Sequence, residues 1–140
     1  MPIGRFDVSA TARILIADDE PNIRRLLRVL LERVGYTVAE VKDGGEAWRK
    51  LQAEPFDLLI TDLMMPELDG FQLLKLINSL DRTATMPVIV MYAYPNDAPH
   101  PPSSLFQPAH DRGKSEPLNK PFNPTSELIP AVKRMLGEAA

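Results

Sequence analysis

The 140 residues contain no cysteine. That excludes a disulfide framework, a thiolate metal site and a cysteine nucleophile, and it suits a reducing, cytoplasmic compartment. No apolar run approaches the roughly 20 residues that span a bilayer. The opening MPIGRFDVSA lacks the apolar segment of a secretory signal. Neither sign of charge dominates: the net charge is -3, so no electrostatic footprint for nucleic acid or a membrane surface is expected. Histidine is scarce, with only 2 residues, His100 and His110. Both lie in a proline-rich stretch with no third ligand at metal-binding spacing, so they read as solvated loop residues. What remains is ordinary. A hydrophobic content of 44% and a charged content of 25% describe a soluble globular protein, and the length is that of one domain with one core. No internal repeat is present.

Residues 1–11 read as a short tail and 12–140 as the domain. RILIADD (13–19) is a short apolar run ending in two acids, and its length favours a buried strand. Pro21 can open a helix in its first turn. Ile23, Leu26, Leu27, Leu30, Leu31 and Val34 then recur at helical spacing, and Gly35 supplies the stop. YTVAEV (36–41) is strand-like. Gly44 to Glu54 carries Ala47, Trp48 and Leu51 as an apolar stripe before Pro55. FDLLITDL (56–63) predicts a third strand. Asp69-Gly70 opens a helix bearing Phe71, Leu73, Leu74, Leu76, Ile77 and Leu80. PVIVMYA (87–93) predicts a fourth strand. A short strand around Leu118 follows, and then a helix from Asn123-Pro124 with Leu128, Ile129, Val132 and Leu136 inward. Pro130 inside that helix should kink or delay it.

Strands alternating with helices predict a doubly wound α/β fold: one five-stranded parallel sheet with helices on both faces. Right-handed crossovers put every strand's C-terminal end on one edge, where ligand chemistry belongs. Asp18 and Asp19 end the first strand, Asp62 the third, and Lys120 the fifth. In the order 2-1-3-4-5 the first and third strands are neighbours and the three carboxylates converge. Singly, each has a plain reading: Asp62 as a turn or cap residue, Asp18-Asp19 as acids favoured by a helix N-terminus, Lys120 as a solvated charge. Together they would repel strongly without compensation. A hard divalent cation such as Mg²⁺ is the natural remedy, because it takes oxygen ligands and keeps several waters. A metal-bound carboxylate beside a fixed lysine can accept a phosphoryl group as an acyl phosphate.

ILIADDEPNIRRLL, DLMMPELDG, MPVIV and NKPF, in that order, resemble the signature blocks of response-regulator receiver domains from two-component systems. The resemblance implies that Asp62 is the phosphoacceptor, served by a histidine kinase or a histidine phosphotransfer protein. It implies that Asp19 and Asp62, with Asp18 directly or through water and the backbone carbonyl of Met64, hold Mg²⁺. Lys120 would bind a phosphoryl oxygen, and the Lys120–Pro121 peptide would be cis. Removing Lys120 would then cost phosphorylation more than stability. Arg24 and Arg25 read as an exposed helix face bordering the site. No effector domain follows within these residues, so direct DNA binding is not expected, and an enzymatic role is not the leading reading.

Two positions depart from the family's pattern. Tyr92 stands where the family has Thr or Ser, and Pro117 where it has Tyr or Phe. Both are the family's reporters of phosphorylation. The segment between Tyr92 and Lys120 is long and rich in proline: Pro95, Pro99, Pro101, Pro102 and Pro108 precede Pro117. An interior proline costs about 3 kcal/mol in a helix, so the helix that the family places there should be absent, short or replaced by a loop pinned by Leu105 and Phe106. These departures support an alternative function, a receiver-like adaptor whose partner does not depend on phosphorylation. An Mg²⁺-dependent phosphohydrolase using Asp62 ranks below both, since Met64 occupies the place of its second acid.

Overall fold

The computed structural model describes residues 12–65, 67–93 and 115–138. In chain order these form β1 (Arg13–Ala17), α1 (Pro21–Val34), β2 (Thr37–Val41), α2 (Gly44–Ala53), β3 (Leu58–Asp62), α3 (Gly70–Ser79), β4 (Val88–Tyr92), β5 (Ser115–Asn119) and α4 (Ile129–Leu136). A single helical turn, Asp81–Ala84, follows α3, and a wide turn, Pro124–Leu128, leads into α4. The sheet has five strands in the order β2-β1-β3-β4-β5, and every pairing is parallel. This is the fold class and strand order expected from the sequence.

Strand alternation sorts the apolar side chains into two cores. Leu15, Leu59, Val88 and Val90 face α2 and α3 and meet Leu51, Leu73, Leu74 and Ile77. Ile14, Ile16, Ile60 and Ile89 face the other way and meet Leu27 and Leu31 of α1 and Val132 and Met135 of α4. A strand buried on both faces must be apolar throughout, which is why β1, β3 and β4 read as continuous runs. Each fully buried Leu, Ile or Val contributes roughly 1.5–3 kcal/mol. No described helix is long and apolar enough to cross a membrane.

The first helix corrects one expectation. Of its six periodic apolar residues only Leu27 and Leu31 are buried, while Leu26 is 48% exposed and Val34 is exposed too. Successive residues turn by about 100°, so once the Leu27–Leu31 line lies on the sheet, Leu26 is carried out toward solvent. Gly35 ends the helix in the left-handed region at φ 118, with its N–H bonded to the Glu32 and Leu31 carbonyls. At the other end of the chain, Pro130 does delay its helix. The Ile129 N–H reaches back five residues to the Pro124 carbonyl, and regular α-helix begins only at Ile129. Ala131 and Met135 become the buried residues beside Leu128 and Val132. The proline-rich stretch 94–114, with His100, His110, Leu105 and Phe106, lies outside the described residues, as does the tail 1–11.

Candidate functional site

Because β1 and β3 are hydrogen-bonded neighbours, Asp18, one residue past β1, and Asp62, the last residue of β3, share one sheet edge. Asp18 is fully buried and fixed from four directions. Its N–H donates to the Val41 carbonyl at 3.2 Å. Its Oδ1 accepts from the Glu20 N–H at 2.9 Å and its Oδ2 from Lys120 Nζ at 3.2 Å. Its carbonyl accepts from Arg24 Nη1 at 2.7 Å. Asp62 is also buried, 3.5 Å from Lys120 Nζ. Asp19 is exposed, and its carboxylate has no hydrogen bond among the described residues. Carboxylate oxygens of Asp18, Asp19 and Asp62 lie within 4.8 Å of one another.

The electrostatics follow from this packing. Burial pushes the Asp62 carboxyl above its ordinary range; the Lys120 ammonium opposes that, and the charges of Asp18 and Asp19 add to it. Burial opposes the charge on Lys120 as well, but Asp62 and Asp18 outweigh it and raise its pKa. Three carboxylates against one ammonium leave an excess of negative charge in a partly enclosed cleft. The donors are all hard oxygens, one of them open to solvent. That set fits Mg²⁺, which prefers a few carboxylates and retains waters.

The turn after Asp62 is held in place by backbone contacts. The Leu63 N–H donates to the Met91 carbonyl and the Gly70 N–H to the Leu63 carbonyl, both at 2.8 Å. Asp69 caps α3 in a reciprocal pair with Gln72: the Gln72 N–H donates to Asp69 Oδ1 and the Asp69 N–H to Gln72 Oε1. Gly44, at the start of α2, lies so close that a Cβ there would sit 2.0 Å from the Leu68 carbonyl oxygen. Met64, in this turn, is 74% exposed. Asp62 therefore ends a rigid strand and precedes a turn braced by two helices, fixed yet reachable from the open edge.

On the far side, the Lys120 N–H donates to the Tyr92 carbonyl at 2.6 Å, and the Lys120–Pro121 peptide is cis. Tyr92 is 7% exposed and belongs to the core beneath α2 and α3, with Leu63 and Val90. Pro117 lies opposite Val90 in β5, which pairs only with β4 among the described residues. An edge strand tolerates a missing backbone donor. The structure thus brings together Asp18, Asp19, Asp62 and Lys120 and places Tyr92 at the neighbouring strand tip. Arg24 is the residue that sequence reasoning misplaced. It is no exposed helix face: it holds the Asp18 carbonyl and pairs with Glu40 at 3.0 Å, while Arg25 is exposed. The usable signal was an Arg one turn into α1 facing an acid near the end of β2, the strand alongside.

Comparison with known proteins agrees with this geometry. The model of the response regulator receiver domain matches residues 14–133. The response regulator receiver protein CpdR of Brucella abortus is 36% identical over 113 residues, covering 77% of this chain and 94% of the relative. The response regulator GtcR of Aneurinibacillus migulanus is 40% identical over 126 residues, or 90% of this chain but 48% of the relative, so the chain spans about half its length. Among solved structures, the chemotaxis response regulator CheY4 of Vibrio cholerae superposes with a TM-score of 0.75 at 29% identity, covering 89% of this chain and 98% of that one. The response regulator TrrA of Thermotoga maritima, solved in complex with Mg²⁺-BeF, superposes at 0.72 with 34% identity, covering 89% and 99%. Receiver domains are signalling modules that bind Mg²⁺ at an acidic pocket and are phosphorylated by histidine kinases or phosphotransfer proteins. The chain belongs to the response-regulator receiver family.

Proposed function

We propose that this chain is a phosphoacceptor of a two-component or phosphorelay system, with Asp62 as the residue phosphorylated. The observation that carries the reading is the convergence of three carboxylates and one ammonium from three strand tips. An Asp62 oxygen attacks the phosphorus of a phosphohistidine on a histidine kinase or histidine phosphotransfer protein. The O–P bond forms, the P–N bond breaks, and the leaving imidazole takes up a proton. Asp19 and Asp62, with the Met64 carbonyl and with Asp18 directly or through water, would hold Mg²⁺, which when bound would supply positive charge to the phosphoryl oxygens. Asp18 keeps the Lys120 ammonium at the site, 3.2 Å away and 3.5 Å from Asp62, where it can turn to a phosphoryl oxygen. Asp19, exposed and without a hydrogen-bond partner among the described residues, is the acid best placed to bind metal directly.

Incubation with Mg²⁺ and acetyl phosphate tests the reading. A single stable adduct mapped to Asp62 supports it, and repeated turnover without adduct would instead indicate a phosphohydrolase. One observation favours a second reading, a receiver-like adaptor that works without phosphorylation. Tyr92 fills core space at the position where the family carries a short hydroxyl residue, and Pro117 supplies no ring to follow it. Absence of any adduct, with partner binding unchanged by Asp62→Asn, would select that reading.

A further inference from the structure

Besides Lys120, a second cation touches Asp18: Arg24. A guanidinium there is unexpected on charge alone, because it disfavours any second cation in the cleft. Its contacts give a different reason for its presence. Nη1 donates to the Asp18 carbonyl at 2.7 Å and Nε donates to Glu40 Oε1 at 3.0 Å. Glu40 is bonded in sequence to Val41, whose carbonyl accepts the Asp18 N–H at 3.2 Å. The four groups close a ring, so both backbone polar groups of Asp18 are tied to the end of β2. The strand ladder stops at Ala17, which leaves the carbonyl of the fully buried Asp18 in need of a donor. Arg24 is that donor. Its side chain and that of Glu40 are themselves largely shielded from solvent.

We propose that Arg24 is a positioning residue for the metal-binding acids: its guanidinium clamps the Asp18 carbonyl to Glu40 and so sets the turn on which Asp18 and Asp19 stand. The inference rests on the phosphoacceptor reading for its metal and on geometry for its clamp. Two donors of one planar fork are used at once, toward a carbonyl and a carboxylate, and an ammonium cannot reproduce that fork. Arg28 provides an internal contrast. Its Nη1 reaches the other Glu40 oxygen at 3.3 Å, it is more exposed, and no contact with Asp18 is present.

The sign of the effect separates positioning from charge. If Arg24 acted only through its charge, removing it would tighten Mg²⁺ binding. If it positions the acids, removing it weakens binding, as loss of an outer partner of a metal ligand does, by about tenfold. Mg²⁺ titrations of the full chain by calorimetry, on wild type, Arg24→Ala, Arg24→Lys and Arg28→Ala, read this directly. The expected result is weaker binding in both Arg24 variants, the lysine included although it keeps the charge, and less than about a twofold change in Arg28→Ala. Metal-free amide exchange is the second readout. The Asp18 and Glu20 amides should exchange faster in the Arg24 variants, while those of Leu59 and Leu63 in and beyond β3 keep their protection. Mg²⁺ binding in both Arg24 variants as tight as wild type, or an equal loss in Arg28→Ala, overturns the proposal. Should wild type itself bind no Mg²⁺, the phosphoacceptor reading falls separately. Unchanged exchange at Asp18 and Glu20 would then still overturn the clamp, and faster exchange would support it.

Discussion

Every residue of β3 and four of the five in β1 are buried, whereas in β5 only Leu118 is. The two sides of the sheet's C-terminal edge differ in the same sense. On the β1–β3 side, Asp18 is held through its amide, its carbonyl and both carboxylate oxygens, and Asp62 precedes a turn braced against α2 and α3. On the β4–β5 side, Tyr92 is absorbed into the core and Pro117 has no amide to donate across the edge strand. On the phosphoacceptor reading proposed above, the first side holds the groups that would take up a phosphoryl group. The second holds Tyr92 and Pro117, the two positions to which the family resemblance assigns the response to that event. On that reading, accepting a phosphoryl group and responding to it would fall on separate strands, and one could be kept while the other is rebuilt.

The sharpest way to break this contrast is Asp62→Asn. The variant should form no adduct with Mg²⁺ and acetyl phosphate, as read by intact mass. Its Mg²⁺ affinity should fall by about tenfold or more, since one of three anionic ligands is gone. Without metal it should melt higher than wild type, because burial disfavours the Asp62 charge. An adduct of normal yield on Asp62→Asn would mean that Asp62 is not the phosphoacceptor.

Lys120→Ala comes next. Losing the ammonium should slow phosphorylation by roughly 100-fold. A cost in stability should accompany it. Asp18 is fully buried and Lys120 is the ammonium on its Oδ2, and stripping one partner from a buried pair leaves an uncompensated charge. A loss of about 1–3 kcal/mol is expected in metal-free protein, the lower part of that range because Lys120 is itself partly exposed. Added Mg²⁺ should restore part of it. Thermal melts with and without the ion check both statements, and equal melts in all four samples would argue that Lys120 is a solvated charge.

What the sequence made legible follows the same division. β1, β3 and β4 could be read because a doubly buried strand has to be an uninterrupted apolar run, and an acid at its end then stands out. The Asp69 cap could be read because its partner, Gln72, is three residues away. Arg24 could not, since its role depends on Glu40, 16 residues on and in another element. In α1 the helical period was right but the width of the buried face was not, because spacing alone does not say how a helix rolls on its sheet. In the last helix the buried residues are Leu128, Ala131, Val132 and Met135, again at helical spacing, so there too the period was right and the roll of the helix was not.

Tyr92→Thr restores the family's residue type and probes the other side. The ring leaves a hole in the core beneath α2 and α3, so a cost of about 2–4 kcal/mol is expected in urea unfolding. Adduct formation should nonetheless persist at a rate close to wild type, because the side-chain contacts among the acids and the lysine lie on other elements, and the Lys120 amide bonds to the Tyr92 backbone carbonyl, which the substitution keeps. Loss of the adduct together with intact folding would mean that the two sides of the edge are not separable in the way their contacts indicate.

The smallest effect tests the frame of the acidic side. Burial pushes the Glu40 carboxyl up, but the hydrogen bonds from Arg24 and Arg28 outweigh it and hold the group below its ordinary value of 4.5. A carboxyl depressed in the folded state contributes stability that is present above the unfolded value and disappears as the pH falls through the folded one. Glu40→Gln keeps the shape and removes that charge. At neutral pH it should cost about 0.5–1 kcal/mol, in the range of a shielded surface pair. As the pH falls below the ordinary carboxylate range the wild-type carboxylate takes up its proton and loses the advantage, so the two unfolding curves should converge. Urea midpoints for both proteins, measured at neutral and at acid pH, give the difference directly. A gap that stayed constant across that range would mean that Glu40 acts through packing alone, and that the charged ring around the Asp18 carbonyl is not what fixes the acidic turn.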